Sequence, residues 1–164
     1  MSSWHAIVIT LSDSSFQGSR EDHSGPALKD ELEKQGIAVL ESLLLPDDID
    51  LLRKALIDFS SRPEVHLIMT TGGTGLSLRD ITPEATASVI ERNVPGLAEW
   101  LRMEGMKKSN RAVLSRGVAG IRQKTLIVNL PGSVKAVREC MISLSGLLSH
   151  ALGVLNGTIN RCGG

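Results

Sequence analysis

Tyrosine is absent from this sequence, and its aromatic residues are Trp4, Phe16, Phe59 and Trp100. That excludes the rows of stacking rings used to hold single-stranded nucleic acid, and it leaves the core to aliphatic side chains. An excess of either charge is missing too: 18 Lys and Arg balance 18 Asp and Glu. Attachment to nucleic acid or an anionic membrane through bulk charge is therefore excluded, while a local anion site is not. Cysteine is scarce. Cys140 and Cys162 stand far apart with no CxxC spacing, and they read as free thiols in a reducing compartment, not as a disulfide framework or zinc site. No apolar run approaches the roughly 18 residues of a membrane span. The opening residues Met1-Ser2-Ser3-Trp4-His5 lack the basic and apolar regions of a secretory leader. The expected location is cytoplasmic. Also missing are an HExxH pair, a GxSxG elbow, a GxGxxG fingerprint and a GxxxxGK[ST] loop, which removes the simplest zinc-enzyme, hydrolase, dinucleotide and Walker readings.

What is present is an alternation. The chain has 164 residues, 41% of them hydrophobic and 22% charged, which suits one soluble domain spanning residues 1–164. Short β-branched runs at residues 6–11, 37–45, 65–71 and 124–130 predict buried strands. Helical patterns are expected at 26–35, from 46 to about 59, from Thr82, at 97–106, and as one long helix over 134–155. Thr82 is read as a cap, with Pro83 in the first turn. Residues 111–123 fit a helix end followed by an edge strand. Strands alternating with helices predict an α/β fold: a three-layer αβα single domain with a mostly parallel central sheet. Met103 and Met106 read as packing residues.

In such a sheet, ligands lie beyond the carboxyl ends of the strands. After the first strand come Ser12 and Asp13, then Asp22, Ser24 and Gly25; after the second comes Asp47; after the third come Gly72, Gly73, Thr74 and Gly75, then Arg79 and Asp80. After the last strand come Asn129, Pro131, Gly132, Ser133 and Lys135. A parallel sheet puts all four groups on one rim. Three glycines in the four residues 72–75 make either a tight turn or a nest of backbone amides for an anion. Ser133 caps a helix whose free amides, with Lys135 nearby, favour phosphate. Asp47 and Asp80 beside such sites suggest an intervening Mg²⁺, which takes one or two carboxylates plus phosphate oxygens. From the residues alone the reading stops at a phosphate-bearing ligand on an α/β rim.

At these same residues the sequence resembles the molybdopterin adenylyltransferase family of molybdenum-cofactor biosynthesis, which includes the G domains of gephyrin. The matching text is Asp22-His23-Ser24-Gly25-Pro26, Thr70-Thr71-Gly72-Gly73-Thr74-Gly75, Arg79-Asp80-Ile81-Thr82-Pro83-Glu84-Ala85-Thr86, Ser115-Arg116 and Asn129-Leu130-Pro131-Gly132-Ser133. The resemblance implies a homotrimer that binds molybdopterin and ATP and, with Mg²⁺, transfers AMP to the terminal phosphate of molybdopterin. It implies Asp47 and Asp80 as catalytic and metal-holding residues. Gly72, Gly73, Thr74, Gly75, Arg79, Asn129, Pro131, Gly132, Ser133 and Lys135 are expected around molybdopterin, and Ser12, Asp13, Asp22, Ser24 and Gly25 beside the nucleotide. One phosphate-binding loop is expected to hold each end of the reacting pair. The alternative is a pocket-bearing carrier or scaffold without catalysis, against which the presence of both Asp47 and Asp80 counts.

Overall fold

The structure is a computed structural model that describes residues 4–159. Six strands among them form one sheet: β1 (Trp4–Leu11), β2 (Ile37–Leu45), β3 (Leu67–Thr71), β4 (Arg92–Asn93), β5 (Ala119–Arg122) and β6 (Thr125–Leu130), in the order β2-β1-β3-β6-β5-β4. The helices are α1 (Asp13–Phe16), α2 (Ser24–Lys34), α3 (Ile49–Ser60), α4 (Thr82–Ala87), α5 (Pro95–Met106), α6 (Val134–Ser143) and α7 (Leu147–Leu155), with a 3-10 turn at Asn110–Leu114.

The layers follow from strand alternation. Successive side chains of a strand point to opposite faces. Ala6, Val8, Leu67, Met69, Leu126 and Val128 face one side, where they pack on Leu28 and Leu32 of α2, Leu101 of α5, Val137 and Met141 of α6, and Leu148 and Leu152 of α7. Ile7, Ile9, Ile68 and Ile127 face the other, against Leu52, Leu56 and Phe59 of α3 and Ala85 of α4. The three-layer αβα fold is thus the one expected, with an aliphatic core on each face of the sheet.

The sheet is mixed. β2, β1, β3 and β6 run parallel, whereas β5 is antiparallel to both β6 and β4. Arg122 pairs with Thr125, leaving a two-residue turn in which Gln123 has φ 52°. So short a connection makes a hairpin and therefore an antiparallel pair. This resolves residues 111–123 as a 3-10 turn followed by an edge-side strand.

Other boundaries also need correction. The expected helix 134–155 is two helices, because Gly146 takes φ 78° and turns the chain between them. α2 starts at Ser24, ahead of the expected residue 26, because Asp22 caps it: Asp22 Oδ1 accepts the Ser24 and Gly25 amides at 3.1 Å each. Thr82 is not a cap. It sits inside α4 and donates its hydroxyl to Gly72 O at 3.0 Å. Met103 and Met106 are exposed, not packed within the core. Cys140 is free and buried, and burial pushes its thiol up to about 11. Cys162 lies outside the described residues. No helix of the described residues is long and apolar enough to cross a membrane.

The chain leaves β1 for β2 on one side, and β3 lies on the other side of β1. The strand order therefore switches between β1 and β3. That gap, at the carboxyl ends of the strands, is where ligands enter such sheets.

Candidate active site

An acid-rich cavity of about 620 Å³ opens at the switch point. Ser12, Asp13, Asp22, Ser24, Asp47, Gly72, Gly73, Asp80, Gly132 and Ser133 line it. The strand-end loops are brought together by close backbone contact. A Cβ on Gly72 would fall 2.3 Å from Leu11 O, and one on Gly132 would fall 3.2 Å from Gly72 Cα. Gly73, at φ 68°, leaves no room for a side chain either: a Cβ there would meet Thr82 Oγ1 at 2.3 Å and Asp47 Oδ1 at 3.2 Å. Glycine is required at 72 and 73 for both conformation and space.

The carboxylates in this cavity differ in what binds them. Asp22 is fully engaged: Thr10 Oγ1 donates to Oδ2 at 2.8 Å while Oδ1 takes the start of α2. Gly25 packs against that latch and does not line the cavity. Asp13 accepts Arg79 Nε on Oδ2 and Arg79 Nη2 on Oδ1, each at 2.9 Å, and the Asp47 amide on Oδ1 at 2.9 Å. The Arg79 guanidinium holds the Asp13 carboxyl below its usual range. Asp80 Oδ2 accepts the Ser77 amide at 2.9 Å. In Asp47, Oδ2 accepts the Asp13 amide at 3.0 Å, but Oδ1 is buried with no donor. Burial raises the Asp47 pKa, and the charges of Asp13 and Asp80 push it the same way.

A second cavity, about 780 Å³, lies on the other side of the glycine loop. Arg102, Lys107, Lys108, Arg111 and Lys135 contribute cations, against Glu104 and Glu139. Leu76, Leu101, Leu114 and Ile142 give it apolar surface. Thr74, Gly75, Asn129 and Pro131 line its wall, and Ser133 lines both cavities. Lys107 pairs with Glu104. Lys108, Arg111 and Lys135 form no ion pair with any described residue.

A family described as "Probable molybdopterin binding domain" matches residues 7–150. The chain belongs to this molybdopterin-binding family. It is 40% identical over 159 residues to the molybdopterin adenylyltransferase of Helicobacter pylori, covering 96% of this chain and 90% of that one. It is also 40% identical over 155 residues to the Drosophila melanogaster molybdenum cofactor synthesis protein cinnamon, covering 93% of this chain but only 26% of that longer protein. Among solved structures, the molybdopterin biosynthesis enzyme MoaB of Thermus thermophilus superposes with a TM-score of 0.88 at 43% identity, over 94% of this chain and 97% of that one. The Mog protein of Mycobacterium ulcerans does so with a TM-score of 0.88 at 39% identity, over 96% and 99%.

In this member of the molybdopterin-binding family, most of the expected site residues gather on one rim, around two cavities. The 72–75 loop and the 131–135 loop both run along the wall between the two cavities. Each loop is split: Gly72, Gly73 and Gly132 face the acid cavity, while Thr74, Gly75, Pro131 and Lys135 face the basic one. Two of the expected residues are engaged in hydrogen bonds within the protein. Arg79 spends its guanidinium on Asp13 and lines neither cavity. Asn129 is buried, donating to Thr70 Oγ1 and Thr86 Oγ1 at 3.0 Å each and accepting the Val118 amide at 3.2 Å. It braces the wall between β3, α4 and β6.

Sequence reasoning did not single out Arg116. Its backbone N donates to Thr74 O at 2.9 Å, its Nε to Gly75 O at 2.8 Å and its Nη2 to Asp80 O at 2.8 Å, and it pairs with Glu84. It ties the whole 74–80 loop down. Arg111, Lys107 and Lys108 were also missed, since they follow no helical or strand periodicity. The Ser115-Arg116 match was the available signal.

A divalent cation fits the residues present. The buried, donorless Asp47 Oδ1 is an acceptor awaiting positive charge, since an unsatisfied buried carboxylate oxygen is costly. Among the described residues no three acids, histidines or cysteines form a metal cluster. Asp47 and Asp80 would supply only part of a cation's shell, the rest coming from phosphate oxygens and water.

Proposed function

We propose that this chain is a molybdopterin adenylyltransferase: it transfers AMP from ATP to the terminal phosphate of molybdopterin and releases pyrophosphate. The observation that carries the reading is Asp47 Oδ1, buried without a donor beside the glycine wall that separates an acid cavity from a basic one. ATP occupies the acid cavity, bordered by Ser12, Asp22 and Ser24. Molybdopterin occupies the basic cavity, its pterin against the apolar surface and its phosphate drawn by Lys108, Arg111 and Lys135 towards Ser133.

The chemistry needs alignment more than a base. A phosphate monoester has a second pKa near 6, so at neutral pH it is already a dianionic nucleophile. One of its oxygens forms a bond to the α-phosphorus, the bond from that phosphorus to the bridging oxygen breaks, and pyrophosphate leaves with the electron pair. Amides of the 73–75 turn and the Ser133 hydroxyl orient the phosphates across the shared wall. Asp47 and Asp80 would hold Mg²⁺, which supplies charge neutralisation on the nucleotide phosphates. The basic cavity draws the molybdopterin phosphate by its field, while the acid cavity would take the nucleotide phosphates only together with the divalent cation.

The whole chain, residues 1–164, acts as one cytoplasmic domain and assembles as a homotrimer. The exposed apolar side chains Trp100, Met103, Met106, Ile142 and Leu147 support that assembly; sedimentation at several concentrations tests it. The activity is tested with purified protein, molybdopterin, ATP and Mg²⁺. Adenylated molybdopterin detected by mass spectrometry, with stoichiometric pyrophosphate, is the expected result. Thermal stabilisation by molybdopterin with no product would instead make the chain a carrier.

A further inference from the structure

Asp13 and Asp47 grip each other twice. The Asp13 amide donates to Asp47 Oδ2 at 3.0 Å, and the Asp47 amide donates to Asp13 Oδ1 at 2.9 Å. This closed ring joins the loop after β1 to the loop after β2. Arg79, from the loop after β3, seals it with two bonds to the Asp13 carboxylate at 2.9 Å each. Three strand ends therefore converge on one carboxylate.

The consequence falls on Asp47. With Oδ2 held in the ring, rotation of the carboxylate is blocked, and Oδ1 is turned towards the glycine wall, where it is buried with no donor. Asp80 is the next residue after Arg79, so the same ion pair also fixes the peptide from which Asp80 projects. Arg79 further neutralises the third acid of the group, leaving Asp47 and Asp80 as the carboxylates with charge to offer.

We propose that Asp13 and Arg79 are positioning residues that act through Asp47: they clamp it so that Oδ2 is tied and Oδ1 is presented to the divalent cation. This gives Asp13 and Arg79 a role beyond the nucleotide and molybdopterin contacts expected of them. It rests on the adenylyl-transfer reading. Partners that orient a metal-holding side chain typically change metal affinity or activity by about 10- to 100-fold when removed.

The test measures Mn²⁺ binding by electron paramagnetic resonance in the presence of a non-hydrolysable ATP analogue, alongside the metal dependence of turnover. Wild type and Asp47→Asn come first. Failure of wild type to bind Mn²⁺ with the nucleotide would overturn the function reading and the clamp together. Given binding that Asp47→Asn weakens measurably, Asp13→Asn and Arg79→Met are compared with wild type, with Arg79→Lys as the conservative variant. The clamp predicts Mn²⁺ affinity at least about tenfold weaker in Asp13→Asn and Arg79→Met, a matching rise in the Mg²⁺ needed for half-maximal turnover, and an unchanged KM for molybdopterin. It also predicts that adding either substitution to Asp47→Asn costs nothing further. Unchanged Mn²⁺ affinity with reduced turnover, or effects that multiply with Asp47→Asn, would overturn the clamp while leaving the function reading standing. Melting curves confirm that each variant is folded, and Arg79→Lys supplies the measurement if Arg79→Met is not.

Discussion

The two cavities share a wall but are built on opposite plans. In the acid cavity most polar groups are already spent on one another: Asp13 on Arg79 and Asp47, Asp22 on Thr10 and α2, Asp80 on Ser77. In the basic cavity Lys108, Arg111 and Lys135 have no ionic partner among the described residues. The first is organised before any ligand arrives; the second holds charge in reserve for an incoming anion. Preorganised groups act where charge develops in the transition state, and loosely held surface cations mainly attract and retain. Damage to the acid cavity should therefore appear in kcat, and damage to the basic cavity in KM.

The largest effect is expected from neutralising the acids. Asp47→Asn and Asp80→Asn should each lower turnover by about 10²- to 10³-fold, the scale for removing one preorganised electrostatic group, while thermal melting stays close to wild type. Turnover within a few-fold of wild type in both would break the comparison at its stronger side. Charge reversal across the wall, as Arg111→Glu or Lys135→Glu, should raise the KM for molybdopterin by about tenfold at low salt, from the change in local field. It should leave kcat and nucleotide affinity nearly unchanged. Raising ionic strength should shrink the difference.

How much of this was legible before the fold was known follows the same division. The acid cavity's residues lie in the loops that follow parallel strands, Ser12, Asp13, Asp47, Gly72 and Gly73 close behind a strand end and Asp22, Ser24 and Asp80 farther along, so a parallel core placed them on one rim from sequence alone. Gly72 and Gly73 could be singled out because glycine at a strand end signals backbone approach, here to Leu11 O and Thr82 Oγ1. The basic cavity was legible in part: Thr74, Gly75, Asn129, Pro131, Ser133 and Lys135 were expected beside molybdopterin and line it, whereas Lys107, Lys108 and Arg111 were not foreseen. Its cations come from the end of α5, a 3-10 turn and the first turn of α6, and only the tertiary fold brings those stretches together. Nor could spacing reveal which polar residues were committed elsewhere. Arg79 and Asn129 were expected beside molybdopterin; spacing did not show that one holds Asp13 and that the other, while lining the basic cavity, spans Thr70, Thr86 and Val118. Hydrogen-bond partners 43 and 59 residues away leave no local trace.

The wall itself can be tested through stability. Gly72→Ala places a Cβ against a backbone oxygen at φ 94°, where a left-handed conformation costs roughly 1–2 kcal/mol and forced packing about 1–3 more. Unfolding in urea should fall by about that sum, with both cavities losing ligand affinity together because they share the wall. Asn129→Leu removes a buried amide and strands the Val118 N–H, an expected loss of about 1–3 kcal/mol. A loss confined to one cavity in either variant would mean that the wall is not a common structural element.

The smallest effect is expected far from both cavities, at the opposite end of the sheet. His66 Nδ1 accepts the His5 amide at 3.2 Å, and the His66 amide donates to His5 O at 3.1 Å, so β1 and the approach to β3 are stitched there. The ring stacks edge-on against Trp4 at 5.2 Å. Burial lowers the His66 pKa below its ordinary 6.5, and the neighbouring His5 ring adds to the shift. Protonation of Nδ1 would remove the acceptor. Because the unfolded chain takes up this proton more readily than the folded one, stability is full above about pH 6.5 and declines as pH falls from there towards the lowered folded value. Melting temperature measured from pH 7.5 to 5 should fall in wild type and fall less in His66→Gln, which keeps a side-chain acceptor but cannot titrate. Metal-dependent turnover, corrected for folded fraction, should not distinguish the two proteins. If His66→Gln changed turnover as well, the two ends of the sheet would be coupled, and the separation between a preorganised rim and a purely structural base would fail.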